Sequence, residues 1–130
     1  MSYVLDTNTL SSYMRSAGDV VARVQAEAPA NIVLPAMVVF EVSYGLCRLG
    51  RQAQLAAFGR FVQSVPVLDF DLDAADEAAR IRVHLESLGT PISLSDLLVA
   101  ATARRHGCTL VTHNTREFSR VPDLVLEDWY

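Results

Sequence analysis

The stretch Ser2-Tyr3-Val4-Leu5-Asp6-Thr7-Asn8-Thr9-Leu10 decides the fold. Its apolar residues run together instead of alternating with polar ones, as in a strand covered on both faces. The polar cluster Asp6-Thr7-Asn8-Thr9 that ends the strand suits the cap of a helix continuing to about Arg15. A strand feeding directly into a helix is the opening unit of a parallel α/β sheet.

The rest of the chain repeats this alternation. Gly18-Asp19 starts a second helix, Val20 to Ala28, which Pro29-Ala30-Asn31 breaks. Ile32-Val33-Leu34 reads as a buried strand, and Pro35 stands where a proline opens a helix at its first position. Residues Ala36 to Leu49 then form a helix capped by Gly50. Arg51 to Gln63 places Leu55, Phe58, Phe61 and Val62 on one helical face. Ser64 to Leu68 reads as an edge strand, since its internal proline is poorly tolerated in a central one. The clearest helix is Leu72 to Leu88, with Ala74, Ala78, Ile81, Leu85 and Leu88 spaced by fours and threes. A helix from Ser93 to Arg105, a strand Thr109 to Thr112, a short turn of helix around Arg116-Glu117-Phe118 and a strand near Leu124-Val125-Leu126 complete the series. The expected architecture is α/β: a single domain over 1–130, with a mainly parallel central sheet flanked by helices on both faces.

Bulk properties agree with one folded domain. A chain of 130 residues hides roughly two-thirds of its unfolded surface on folding. There is no repeat, no low-complexity tract and no apolar run long enough to span a membrane, and no secretory leader is expected. Cys47 and Cys108 lack the spacing of a zinc or disulfide framework, so the expected compartment is the reducing cytoplasm. The formal charge of −4 argues against a generally basic nucleic-acid-binding surface, but not against phosphates held through a metal and a few arginines. All 11 basic residues are Arg.

In open parallel sheets ligands bind outside the carboxyl ends of the strands. That rule gathers Asp6 and Asn114, which follow strands, with Glu41 and Asp96, which lie on helices whose starts can face the same rim. Read singly, each residue has a plainer account. Asp6 is equally an N-cap, Ser93-Leu94-Ser95-Asp96 matches a capping box, and Asn114 is a possible turn amide. Glu41 is the exception. Its neighbours three and four residues away are Met37, Val38, Tyr44 and Gly45, none able to pair with it, and an unpartnered half-buried carboxylate is costly. Together the four build an oxygen-lined pocket without lysine, which suits a hard divalent cation. His84, His106 and His113 have no zinc spacing, and His113 reads as an exposed loop residue near the rim.

Taken in order, Leu5-Asp6-Thr7-Asn8-Thr9-Leu10, Glu41-Val42-Ser43-Tyr44-Gly45, Asp96-Leu97-Leu98-Val99-Ala100-Ala101, Leu110 to Phe118 and Glu127-Asp128-Trp129 resemble the PIN domain, more narrowly the VapC-type toxins of type II toxin–antitoxin modules. The resemblance covers essentially the whole chain. It implies an Mg²⁺- or Mn²⁺-dependent endoribonuclease that hydrolyses RNA phosphodiester bonds with a metal-activated water. It also implies a homodimer, a cognate VapB-type antitoxin and a hetero-oligomer formed with it. By position, Asp6, Glu41 and Asp96 match the acidic triad, with Asp6 and Asp96 as metal ligands. Asn114 falls where many members carry a fourth Asp, and Glu117 is placed to supply that carboxylate. Thr7 and Thr112 match pocket hydroxyls. The alternative implied by Asn114 is an inactive PIN scaffold that binds RNA or a protein partner. A haloacid-dehalogenase-like phosphatase is disfavoured by Asn8, where its second Asp would stand, and a receiver domain by the missing lysine.

Overall fold

The computed structural model describes residues 1–130. Its strands are β1 (Tyr3–Leu5), β2 (Ile32–Pro35), β3 (Val67–Leu68), β4 (Thr109–Val111) and β5 (Leu126–Glu127). They form one sheet in the order β3-β2-β1-β4-β5, and every pairing is parallel. The expectation of a mainly parallel sheet is therefore met in full. The short, continuous apolar strands reflect this arrangement: Val4, Leu5, Ile32, Val33, Leu34, Leu110 and Val111 are all buried.

The helices are α1 (Thr7–Met14), α2 (Val20–Ala26), α3 (Ala36–Arg48), α4 (Gln52–Ser64), α5 (Leu72–Ser87), α6 (Leu94–Arg105) and α7 (Thr115–Phe118), with a single 3-10 turn at Pro29–Asn31. None is long and apolar enough to cross a membrane. The chain builds outward from β1 to β3 on one side, then returns to place β4 on the other. That reversal makes the gap between β1 and β4 the switch point of the sheet, where a crevice opens at the carboxyl ends.

Several boundaries differ from those expected, each for a local reason. Pro35 does not open α3; it closes β2 opposite Leu68 and caps the helix, because its φ of −63° with ψ of 141° is extended. Ser64 ends α4 instead of starting a strand, and Pro66 joins the sheet only through its carbonyl, which accepts from the Leu34 amide at 3.0 Å. The last strand is shifted to Leu126–Glu127, since the Leu110 amide bonds to the Val125 carbonyl and the Thr112 amide to the Glu127 carbonyl. Leu88 lies outside the apolar stripe of α5 and is exposed, because the helix stops at Ser87 and the chain turns through Gly89. Ala74, Ala78, Ile81 and Leu85 do form the buried face.

Gly50 ends α3 as expected. Its φ is +67°, and the Arg51 amide reaches back to the Leu46 carbonyl at 3.0 Å, closing the left-handed turn that lets α4 fold back beside α3. On α4 only Phe58 is fully buried; Phe61 and Val62 pack against the core from partly exposed positions. Trp129 is also buried, with Tyr3 at 5.0 Å and the Arg23 guanidinium over its ring.

Candidate active site

Asp6 follows the last residue of β1, and its backbone amide bonds to the Val111 carbonyl, so β4 fixes where it stands. Its side chain does two things at once. One oxygen accepts the Thr9 amide at 2.9 Å as the N-cap of α1, while the other accepts the Thr112 hydroxyl at 2.6 Å. The cap and site readings of Asp6 are thus the same geometry. Asp6 and Thr112 are both buried.

Glu41 is half-buried on α3, and its partners come from elsewhere in the chain. The Thr7 hydroxyl at the start of α1 and the Ser95 hydroxyl in the first turn of α6 both donate to its Oε1, at 2.8 and 2.6 Å. No cation pairs with it. Asp96 sits in the first turn of α6 with its amide bonded to the Ser93 hydroxyl at 3.2 Å, one half of the expected capping box. Burial pushes its carboxyl above the usual carboxylate range. A hydrogen bond with Ser93 opposes that rise, and the charges of Asp6, Glu117 and Glu41 add to it.

Asp6, Thr7, Asn8, Glu41, Ser93, Ser95 and Asp96 line a cleft of about 180 Å³ with no hydrophobic side chain in its wall. The three acids expected from sequence are brought together here, and Thr7 lies beside them. Thr112 stands behind Asp6 as a hydroxyl donor. Asn114 lies outside the cleft lining; it precedes α7 without a side-chain cap, and its amide bonds to the Thr112 hydroxyl at 3.0 Å. Glu117 also lies outside the lining, yet its charge reaches Asp96.

Asn8, Ser93 and Ser95 were not singled out from sequence. Ser95 is the most consequential, and its place beside Asp96 at a helix start was the available signal. His113 is exposed, but not idle: its Nδ1 lies 3.0 Å from Asp128 and its ring rests on Tyr130 at 4.4 Å. Tyr130 donates to the Asn8 carbonyl and accepts from the Ser12 hydroxyl, tying the last residues to α1 beside the cleft.

The donor set fits a hard divalent ion. All the polar side-chain atoms of its lining are oxygens except the Asn8 amide nitrogen, and no Lys or Arg lines the cleft to neutralise its acids. No three acidic or His/Cys side chains converge tightly enough to chelate an ion by themselves. Mg²⁺ does not require that, since it keeps several waters and is typically held by one or two carboxylates plus substrate phosphate oxygens.

The chain matches the PIN domain over residues 3–124. It is 30% identical to the tRNA(fMet)-specific endonuclease VapC of Salmonella typhimurium, over 99% of this chain and 98% of that protein. Ribonuclease VapC2 of Rickettsia felis is 31% identical over the same shares. Among solved structures, DNA-bound VapBC from Salmonella typhimurium superposes with a TM-score of 0.92 at 30% identity, covering 100% of this chain and 99% of that one. VapBC2 from Rickettsia felis bound to a promoter DNA fragment superposes with a TM-score of 0.91 at 28% identity over the whole of both chains. With an acidic cleft at the switch point of a five-stranded parallel sheet and a family match from the first strand almost to the last, the chain belongs to the PIN domain family.

Proposed function

We infer that the protein is an endoribonuclease, the toxin of a toxin–antitoxin module, held in check by a VapB-type antitoxin, and we propose that its cleavage of RNA depends on Mg²⁺ or Mn²⁺. The full-length similarity to VapC ribonucleases and to VapBC complexes supports the nuclease and the partner. The single observation that carries the proposed chemistry is the cleft in which Asp6, Glu41 and Asp96 meet with hydroxyl groups and no basic side chain.

Asp6 and Asp96 would hold the ion, with Glu41 beside them. The chemistry such an ion supplies is Lewis-acid activation of water and neutralisation of charge on the attacked phosphate. The chain's own residues set the stage for it. Thr112 and the Thr9 amide fix the plane of the Asp6 carboxylate, while Thr7 and Ser95 occupy Oε1 of Glu41 and leave Oε2 free to receive a proton from water. Asp96, whose charge is disfavoured by burial and by its acidic neighbours, gains most from a cation or a phosphate-bound ion nearby. A homodimer is part of the same proposal.

Adding Mn²⁺ at a hundred times its dissociation constant is expected to stabilise the protein by about 2.7 kcal/mol, read from the melting temperature. An equal gain in Asp96→Asn would place the ion elsewhere. The cleavage test is the initial rate on RNA against Mn²⁺ concentration. Asn114→Ala is expected to retain a reduced rate, because its amide stands outside the cleft lining. Asn114→Asp is expected to stay active and lower the Mn²⁺ midpoint by adding charge beside Thr112, the hydroxyl that bonds to Asp6. An Asn114→Ala protein as inactive as Asp6→Ala would reverse that ranking.

A further inference from the structure

The oxygen-lined cleft opens into a second, larger depression of about 590 Å³ between α1, α3 and α4, and Thr7 and Glu41 line both. We propose that this groove holds the sugar–phosphate backbone of the RNA strand flanking the cut bond, with Arg15 and Arg51 as its phosphate clamps. The proposal rests on the nuclease reading above and specifies where its substrate lies.

Charge is the first argument. Arg23, Arg80, Arg82, Arg104 and Arg105 are each engaged by a carboxylate. Arg120 donates to the Pro91 carbonyl, and Arg48 packs over the Tyr44 ring. Arg15, Arg51, Arg60 and Arg116 have no such partner, and two of these four line this groove. On a chain with a formal charge of −4, a groove whose lone carboxylate is the shared Glu41 and whose cations are both unpaired selects a polyanion.

Placement is the second argument. Arg15 caps the end of α1, with its amide bonded to Ser11, and Arg51 stands at the start of α4, with its amide bonded to the Leu46 carbonyl. Their backbones are pinned while both side chains are exposed, so two guanidinium forks project from fixed points. Between them Met14 and Leu46 supply an apolar floor on which ribose and base faces can rest. Because the groove runs into the acidic cleft at Glu41, a strand seated on the arginines is led toward Asp6 and Asp96.

The test measures binding of a short fluorescein-labelled single-stranded RNA of mixed sequence by anisotropy, across a salt series, with Asp96→Asn in every protein so that cutting is slow on the timescale of the measurement. Arg15→Gln combined with Arg51→Gln is expected to weaken binding roughly tenfold and to make the log–log salt slope shallower by about 1.4. Arg60→Gln removes one charge outside the groove and is expected to change affinity by less than about twofold. The double Lys variant should keep the salt slope while losing part of the affinity, which separates phosphate contact from damage to the fold. Equal losses from Arg60→Gln and from either single groove variant would overturn the proposal. So would intact RNA binding accompanied by weakened antitoxin binding, which would assign the groove to the protein partner. RNA that binds through the two arginines yet is never cut by the parent would uphold the groove and overturn only the nuclease reading.

Discussion

Asp96→Asn is expected to cleave RNA about a thousandfold more slowly than the parent, equivalent to about 4 kcal/mol of transition-state stabilisation, while melting no lower in the absence of metal. The two halves of this result share one cause. Asp96 is the acid whose charged form its surroundings oppose, first through burial and then through Asp6, Glu117 and Glu41. Its folded pKa is raised above the unfolded value, so the folded protein binds the extra proton between those two values. Stability from this group therefore falls as pH rises from the ordinary carboxylate range through the raised pKa, and the full penalty applies above it. Asparagine removes the penalty, and with it the charge that a cation or attacked phosphate would need. The measurements are single-turnover cleavage and melting temperature over mildly acid to neutral pH. The variant's melting curve should lose the part of the acid-side gain that belongs to Asp96. Retained cleavage, or a metal-free variant that melts well below the parent, would remove Asp96 from the role assigned to it.

Phe58→Ala is expected to cost about 3–5 kcal/mol, read as a lower urea midpoint at unchanged slope. The size of the effect follows from how α4 is attached. Phe58 is the only fully buried side chain on that helix, so its removal leaves a cavity and takes away the main anchor. Since α4 carries Gln54 and begins beside Arg51, both in the groove wall, RNA affinity should fall with stability even though Phe58 touches neither groove nor cleft. A loss below about 1 kcal/mol would mean that Phe61 and Val62 hold α4 without it.

What could be seen in the sequence was whatever depends on near neighbours. Continuous apolar runs marked β1, β2 and β4, and the acids following or opening elements marked the rim. Glu41 stood out because nothing within a helical turn could pair with it. Its partners, Thr7 and Ser95, lie 34 and 54 residues away and become neighbours only when α1, α3 and α6 converge. Spacing along the chain carries no trace of that distance. Pro35 was misplaced for a related reason, since its extended backbone serves the end of a strand and the start of a helix alike. The tie from Tyr130 to Ser12 and Asn8 spans almost the entire chain and had no local signature.

The hydrogen bond between Asp6 and Thr112 joins residues 106 positions apart. Synthesis from the amino end delivers Asp6 well before Asp96 and Thr112. Until β4 slots in beside β1, a growing chain lacks the strand that orients Asp6, even once Asp96 has been made. A fragment truncated before β4 therefore lacks both the Thr112 hydroxyl and the Val111 carbonyl that fix Asp6, and is expected to be unable to cut RNA even though it carries all three acids.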